Sequence, residues 1–462
     1  MSWAALEMAG ASMWDRRCNR SLERICDRRF LLPRVSFSRA CGEDGRQAAH
    51  RIFSSKKATI PAVLAGHFRQ TRDRCLIELL AKPKERILVV QDTTTFKYTG
   101  HLATEGLGPI HTSEAGRGLH SHAAIAMPRY GPPFGVVHLS IWARDLAEHG
   151  KRRNAAARTK DPIEIKESQK WIDGVWGAEA ALPDLPLLVI CDREADIFEL
   201  FAAPRHRQTE LLVRSRHPRR ILVDGRTRSV LLPDALGASP LLGVMEAQIL
   251  RAPGRRARLA RLELRVCKVT IKPPVTLAPP VDGGKHANQT VYAIEAREVG
   301  DDVPDPIRWV LFTTVPVITA AEAEEMVQCY TRRWEIEEMH LVLKSGLKAE
   351  QLQFDDAHSL KNALAVLYVV AWRVLFTRDT ARFTPDAPAD KLVDPEEMEV
   401  LEAIENRQLK TARDVTRAIA HFGGFPRYKS AGEPGVRTIC AGFQRLEGAV
   451  IGFRAAKRQL KL

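Results

Sequence analysis

The sequence lacks the cysteine patterns that mark zinc-binding and disulfide-stabilised proteins. Its eight cysteines stand singly along 462 residues, and no two of them form a C-x-x-C pair. Zinc-finger spacing is therefore absent, and a disulfide framework is not expected in a chain of this length. We expect the protein to be reduced and cytoplasmic.

The sequence also lacks a long apolar run. The longest, ALAVLYVVAW at 363–372, has charges close on both sides, and it is shorter than the roughly 20 residues that a spanning helix needs. The first residues, MSWAALEMAGAS, do not show a basic region leading into an apolar one, so a secretory signal is not predicted. No Walker-type G-x-x-x-x-G-K-[ST] occurs, so ATP use is not indicated.

What the sequence does have is an excess of positive charge. Seventy Lys and Arg residues face 56 Asp and Glu residues, which gives a net charge of +14. Such a basic surface favours a polyanionic partner, most often nucleic acid. A soluble protein that is merely basic is the alternative that charge alone leaves open.

Between a helical start and a strand-rich region, the chain alternates between strand-like and helix-like segments. Residues 1–80 look helical and basic, and apolar runs of strand length then alternate with segments such as EIKESQKWIDGVWGAEAAL. This alternation predicts an α/β core with a mainly buried sheet. Between about 218 and 310 strand patterns dominate, which predicts an all-β insertion. RLELRV and CKVTIKPPVTL are two of its predicted strands, and helices return from 319 onward.

Two of the strand-like runs end in an aspartate. Asp92 closes ILVVQ and Asp192 closes LLVIC. If these strands are parallel neighbours, both carboxylates emerge at the carboxyl edge of the sheet, where open α/β sheets place their sites. The alternatives are structural, because Asp192 could cap the following helix and Asp92 could order a turn.

A third candidate carboxylate lies in YTRRWEIEEMHLVLKSG, residues 330–346, which we predict to be one helix. Helical periodicity places four side chains on one stripe of that helix, with Glu335 and Glu338 off it. The four are Tyr330, Arg333, Glu337 and Lys344. A solvated face with an Arg333–Glu337 salt bridge is the alternative, and it would be worth only tenths of a kcal/mol.

Three converging carboxylates suit divalent metal ions. Asp92, Asp192 and Glu337 could hold two Mg²⁺ ions, which prefer carboxylate oxygens and keep positions open for phosphate and water. A nearby Arg and Lys would bind phosphates, and a Tyr could donate a hydrogen bond to one.

These residues carry a resemblance to a known family. QDTTTFKYTG, VICDREADIFEL and the spacing Tyr330-x2-Arg333-x3-Glu337-x6-Lys344 closely resemble the IS-four family of bacterial DDE transposases, the branch with a Y-R-E-K signature. The likeness extends to GRGLHSHAAIA, KESQKWIDG, LLVRSRHPRR, RWVLFTTVPV and GGFPRYKSAGEPG. It covers most of the chain from about residue 45 onward.

The resemblance implies a fold, an activity and a set of site residues. The fold would be an RNase H-like α/β core interrupted by a β insertion, with helical N- and C-terminal regions. The activity would be cut-and-paste transposition through a hairpin intermediate, with Mg²⁺ as the cofactor and Mn²⁺ as its expected substitute. Asp92, Asp192 and Glu337 would be the metal triad, and Tyr330, Arg333 and Lys344 would contact the cleaved DNA end.

The family also suggests further DNA contacts and partners. Trp309 lies where the family places a tryptophan that stacks on a flipped base, although an interior strand aromatic would look the same. Arg214, Arg216 and Arg219 match a DNA-contacting segment, and a solvated basic strand is their alternative. Double-stranded DNA at the terminal inverted repeats and at the target would be the partner. The protein would act as a homodimer, nucleoid-associated in the bacterial cytoplasm, with no membrane partner.

The combined interpretation divides the chain into three regions. Residues 1–75 would recognise the DNA end, 76–375 would form the catalytic core with its insertion, and 376–462 would serve dimerisation and synapsis. Two functional rivals stay open: a nuclease that cuts without joining, and a non-catalytic DNA-binding regulator. His120 and His122, two apart on a predicted strand, could bind a metal, but a packed strand is the favoured interpretation.

Overall fold

The computed structural model describes most of the chain. The described residues are 3–28, 42–110, 116–145, 161–224, 227–249, 257–275, 277, 284–300, 303 and 305–460. The helices are α1 Trp3–Met8, α2 Arg16–Arg28, α3 Gly42–Ser54, α4 Ile60–Ala81, α5 Gln169–Ala181, α6 Phe198–Ala202, α7 Leu232–Ala238, α8 Ala320–Thr331, α9 Trp334–Leu341, α10 Ala357–Phe383, α11 Pro395–Glu405, α12 Ala412–Phe422 and α13 Val436–Leu460. The strands are β1 Ile87–Lys97, β2 Gly108–Pro109, β3 Arg117–Met127, β4 Gly135–Trp142, β5 Leu187–Cys191, β6 Thr209–Arg214, β7 Arg220–Val223, β8 Val230–Leu231, β9 Leu241–Ile249, β10 Arg258–Ile271, β11 Gln289–Glu298 and β12 Arg308–Thr313.

The chain forms two compact units, each built from separated segments. The first comprises Met1–Glu85, Thr93–Lys151 and Glu335–Leu462, and the second comprises Arg86–Asp92 and Arg152–Trp334. Helices and strands are mixed throughout, so the predicted α/β class is confirmed. The RNase H-like identity of the core stays a prediction.

The first unit is mainly helical and is centred on α10. The Asp356 side chain accepts the Ser359 N–H and so caps this helix at its start. The helix is long and apolar enough to cross a membrane, yet 89% of its most apolar window is buried inside the structure. A helix that is apolar all round and covered on all sides is typical of a protein core. In the same unit β3 pairs with β4 in antiparallel fashion and is buried along almost its whole length.

The second unit contains a mixed sheet. The start of β1 pairs with β5, and β5 with β6, in parallel. Strands β12, β11 and β10 then continue the sheet in antiparallel order, and β9 pairs with β10. The strand LLVIC of β5 is wholly buried, as expected for an apolar run in a sheet covered on both faces.

The region predicted as an all-β insertion contains strands β7 to β11 and also one short helix, α7. RLELRV and CKVTI, predicted as separate strands, form the single strand β10. Residues 250–256, which include the start of the basic stretch at 255–265, lie outside the described residues.

The stretch at 330–346 is not one continuous helix, so this prediction was wrong. Helix α8 ends at Thr331, α9 begins at Trp334, and Val342–Gly346 forms a π-helical turn. The Thr331 hydroxyl donates to the Gln328 carbonyl oxygen at 2.6 Å. The Arg333 N–H bonds three residues back, to the Tyr330 carbonyl oxygen. Both bonds tighten and end α8, so a single helical stripe from Tyr330 to Lys344 does not exist.

Candidate active site

Two aspartates lie close to the parallel pairing of β1 with β5 in the second unit. Asp192 directly follows β5, whereas Asp92 lies within β1, which continues to Lys97. The expectation that Asp92 ends its strand, and the alternative that it orders a turn, were therefore wrong. In the pairing of β1 with β5, Val90 lies opposite Ile190, and Asp92 and Asp192 each come two residues later. The sequence argument depended on the condition that these two strands are parallel neighbours, and the structure meets this condition. In the next pair Cys191 lies opposite Val213, so Arg214 comes level with Asp192 at the same carboxyl edge.

Asp192 is half-buried and has a structural role of its own. Its Oδ1 accepts the Glu194 N–H at 2.8 Å, which caps the 3₁₀ turn Arg193–Ala195. The capping alternative raised by the sequence is thus real. It does not exclude a second role, since a carboxylate has about four lone-pair positions and the cap uses only one oxygen.

Arg333 lies beside Asp92. Its Nη1 is 3.5 Å from Asp92 Oδ2, and the two side chains are only 16% and 17% exposed. A cation this close to a shielded carboxylate offsets its charge and provides a donor for a phosphate that approaches the same edge.

Tyr330 is buried next to these charges. Burial raises the pKa of its phenol, while the positive charges of Arg214 and Arg333 lower it and the negative charge of Asp192 raises it again. The net direction is upward, so Tyr330 keeps its proton at neutral pH and can donate a hydrogen bond.

Trp309, on β12, lies against Tyr330. The two rings meet edge to face, with centroids 5.9 Å apart and planes at 62°. Trp309 is half-buried. Its buried part agrees with the alternative interpretation of Trp309 as an interior aromatic of a strand. Its exposed part leaves a ring surface that a ligand can reach.

A basic cavity of about 370 Å³ opens on the same unit. Four arginines line it, and His217 lies at its wall. The arginines are Arg193, Arg214, Arg216 and Arg308. Arg193 and Arg308 were not identified from the sequence, although each directly adjoins a residue that was, Asp192 and Trp309.

Arg219 differs from its basic neighbours because it has a buried partner. Its Nη2 donates to Asp196, whose side chain is fully buried. The Arg216 backbone N–H donates to the same carboxylate at 2.7 Å, and the Arg219 guanidinium lies 5.3 Å from the centre of the Phe312 ring. Asp196 was missed from the sequence, although it is the last residue of the DREAD motif.

In the first unit, the glutamates of α9 are in different environments. Glu335 and Glu338 both pair with Arg378, which also binds Asp379 at 2.6 Å and is only 3% exposed. Glu337 is half-buried in the first turn of the same helix. The separate role expected for Glu337 stays a prediction.

Lys344 lies in the π-helical turn of the first unit. Its pKa is lowered, chiefly by burial and also by the nearby charge of Lys97, while Glu350 acts in the opposite direction. Its Nζ is 5.9 Å from the centre of the Phe96 ring. A half-buried lysine has already lost part of its hydration shell, so binding an anion costs it less dehydration than it costs an exposed lysine.

The donor groups fit a metal site only in part. Within the described ranges, no group of three or more His, Cys, Asp or Glu side chains is arranged to hold an ion. Asp92 and Asp192 nevertheless supply two carboxylates of the type that Mg²⁺ prefers. The other candidates, His122 and His120, contact threonines of β1 in a packed strand. Their Nδ1 atoms are 2.9 Å and 3.2 Å from the hydroxyls of Thr93 and Thr95, respectively.

Comparisons with known proteins leave the family open. No family model matches the chain. Among solved structures, the chain is similar to a cryo-EM structure of the piggyBac transposase synaptic complex with hairpin DNA, with a TM-score of 0.35 and 8% sequence identity. The match covers 98% of this chain and 71% of that one. A similarity this low carries no argument about function, which has to come from the residues themselves.

Proposed function

We propose that the chain is a metal-dependent DNA transposase of the DDE type, with an RNase H-like core. The observation that carries the proposal is the pairing of β1 with β5, which sets Asp92 and Asp192 side by side with Arg333 next to them. The DREAD and Y-R-E-K patterns, which resemble those of the IS-four family, support the same function.

The proposed cofactor is a pair of Mg²⁺ ions, with Mn²⁺ as a substitute. Asp92 and Asp192 would bind them, and Glu337 would be the third ligand, a role that rests on its place in the sequence pattern. Two such ions lower the pKa of an attacking water and stabilise the leaving oxygen of a phosphodiester.

The surrounding residues would bind and orient the DNA. Arg333 and Arg214 would hold phosphate oxygens, and the protonated Tyr330 would donate a hydrogen bond to one. Trp309 would offer its accessible ring face to a displaced base. Arg216, with the other arginines of the basic cavity, would bind the backbone further along the strand, as would Lys344.

The proposed reaction is hydrolysis followed by strand transfer. Water attacks the phosphorus at the transposon end, and the 3′ oxygen leaves and takes a proton. The freed 3′ hydroxyl then attacks a phosphodiester of the opposite strand. The new bond closes a hairpin on the transposon end, and the flanking strand leaves through its 3′ oxygen, which takes a proton. A second water attacks the hairpin phosphodiester and frees the transposon 3′ oxygen again. In the last step each 3′ hydroxyl attacks a phosphodiester of target DNA, whose 3′ oxygen leaves and takes a proton. A homodimer that holds two transposon ends in the bacterial cytoplasm completes the proposal.

The test uses linear DNA that carries the inverted repeats flanking the gene. Wild type should nick this DNA, form hairpins and join ends to a target plasmid, all only with Mg²⁺ or Mn²⁺. Asp192→Asn and Asp92→Asn should each reduce cutting by at least about 10³-fold, because each removes a ligand of the reacting centre. Asp184→Asn, an exposed acid of the same unit, is the control and should cut normally.

Three outcomes would replace the proposal. Cut products without joined products would make the protein a nuclease. Binding without cutting in every variant would make it a regulator. Undiminished cutting by both Asp92→Asn and Asp192→Asn would remove these two aspartates from the chemistry.

A further inference from the structure

A second cavity, of about 510 Å³, lies in the second unit on the far side of the DREAD segment. Its walls are largely apolar and come from four separate segments of that unit. Among the wall residues are Ile163, Ile197, Ile271, Pro274 and Leu277. A cavity of this size and character is in the range that binds a ring-sized organic group.

Cations surround the apolar walls. Lys166, Arg219, Arg220 and Lys272 line the cavity, and among the described residues two carboxylates accompany them, those of Asp196 and Glu199. Arg219 pairs with Asp196, and Lys166 Nζ is 3.2 Å from Glu199 Oε1. Arg220 and Lys272 are exposed. The cavity therefore has an excess of positive charge, held by the two exposed side chains, and it suits an anion that also carries an apolar ring.

The cavity adjoins the basic one described above, because His217 lines both. A path runs from the arginine-lined cavity past His217 to the apolar walls, all within the second unit. A single nucleic-acid strand matches this sequence of surfaces, since it alternates a phosphate with a flat base that has an apolar face.

We propose that this second cavity, which we name the base pocket, binds one unpaired nucleotide of a DNA strand. The base lies against the apolar walls near Leu277, and its phosphate meets Arg220 and Lys272. The adjoining nucleotides follow the backbone path past His217 to the arginine-lined cavity. The inference rests on the proposed function for the source of the strand, but the site is separate from the Asp92–Asp192 pair.

The base pocket can be tested by binding alone, with EDTA present so that no cleavage occurs. The probe is a fluorescent oligo(dT) of about ten nucleotides, a length within the usual range of single-strand sites, compared with the same oligonucleotide carrying abasic sites. Wild type should bind oligo(dT) about tenfold more tightly than the abasic strand, because only the base fills the apolar cavity. Leu277→Asp should bind both strands with the same, lower affinity.

The exposed cations at the base pocket, Arg220 and Lys272, are tested by a separate variant with its own control. Lys272→Glu should weaken binding of both strands several-fold, since it reverses a charge at the pocket. Arg207→Glu makes the same charge change at an exposed residue outside the pocket, and it should leave the preference for oligo(dT) intact. Thermal unfolding of each variant verifies that it is folded.

Equal binding of oligo(dT) and the abasic strand by wild type would overturn the proposal and leave a charge-only surface. Competition by free thymidine monophosphate as effective as that of the oligonucleotide would also overturn it, in favour of a small-molecule site. The base pocket and the proposed function are tested by different measurements, so either can be contradicted without the other. A protein that prefers oligo(dT) but never cuts DNA contradicts only the proposed function, whereas one that cuts DNA without the preference contradicts only the pocket.

Discussion

Single residues of the same chemistry have different tasks in this protein, and the glutamates of α9 illustrate it. Glu335 and Glu338 hold the buried Arg378 together with Asp379. An arginine so enclosed by acids is held in its charged form, and its pKa is raised further by them despite its burial. The sequence pattern could not identify Arg378 as the partner of Glu335 and Glu338, because that residue is 40 positions from Glu338 in sequence.

This difference gives the first prediction. Asp379→Asn should lower the free energy of unfolding by about 3 kcal/mol, because it breaks a buried ion pair and leaves part of the Arg378 charge uncompensated. Glu337→Gln should change stability by less than about 1 kcal/mol but abolish metal-dependent cleavage. Urea unfolding and the cleavage assay measure the two effects. Unchanged cleavage by Glu337→Gln would remove this residue from the triad.

Two arginines of the RSRHPRR segment make the second prediction. Arg219→Gln should destabilise the fold by about 2–4 kcal/mol, since Asp196 would lose its buried cationic partner. Arg216→Gln should leave stability unchanged, because only its backbone N–H contacts Asp196, and should instead reduce the slope of log K against log salt for DNA by about one. Equal loss of stability in both variants would contradict the separate roles.

At the scale of elements, the sequence predicts what depends on local pattern. Apolar runs that end in an acid correctly marked β5 and the start of β1, since a buried strand needs an unbroken apolar stretch. The second half of β1 was missed, because DTTTFK contains no apolar run and yet continues the strand to Lys97. The break between α8 and α9 was missed, because Thr331 has an ordinary helical context and only its bond to the Gln328 carbonyl reveals the end. The length of β10 was also missed. Its pairing with β11 continues from Leu262 to Ile271 across Cys267, and a partner in another part of the chain is not visible to local patterns.

Packing of α1 onto α4 depends on a buried network in the first unit. His67 Nδ1 is 2.6 Å from Glu7 Oε2, and its Nε2 accepts the Val136 N–H at 2.9 Å. Nδ1 is therefore the protonated nitrogen of a neutral imidazole. Arg74 donates to the other Glu7 oxygen at 2.6 Å and lies 4.3 Å from the centre of the Trp372 ring.

The third prediction is a loss of stability in mild acid. Burial lowers the His67 pKa below its ordinary 6.5, although Glu7 acts in the opposite direction. The unfolded chain then takes up a proton near pH 6.5 that the folded chain refuses, so stability falls as pH decreases through about 6.5. The Glu7 pKa is also lowered, by its bonds to His67 and Arg74 against its burial, so its contribution is lost further down, below about pH 4.5.

His67→Gln is the matched variant, because the amide can still accept the Val136 N–H. Its unfolding temperature should be lower at neutral pH but should fall less than that of wild type between about pH 8 and pH 5.5. The difference between the two curves isolates His67 from the other histidines. Parallel curves would show that this imidazole does not titrate on unfolding.

At the scale of the whole molecule, the compact units do not follow the order of the chain, and the three functional regions stay a prediction. The sequence suggested three consecutive regions, whereas the N-terminal 85 residues and the segment from Glu335 onward belong to one compact unit. Long-range contacts such as that between Trp372 Nε1 and the Pro133 carbonyl oxygen, at 2.8 Å, assemble that unit. Sequence patterns reveal changes of composition along the chain, but they do not reveal contacts between residues as far apart as these two, which are separated by 239 positions.

The net charge of +14 gives the last prediction, which concerns DNA binding as a whole. Each phosphate that the protein neutralises releases counterions, so log K should fall linearly with log salt, with a slope of about −0.9 per phosphate contact. Duplexes carrying the flanking inverted repeats and scrambled duplexes should give steep, nearly parallel lines, because phosphates contribute the same slope in both. The vertical gap between the lines measures base and shape recognition, which salt affects little. Anisotropy titrations from about 50 to 200 mM salt resolve both quantities. A flat response would mean that the positive charge does not face DNA, and it would contradict the proposed function at its most general level.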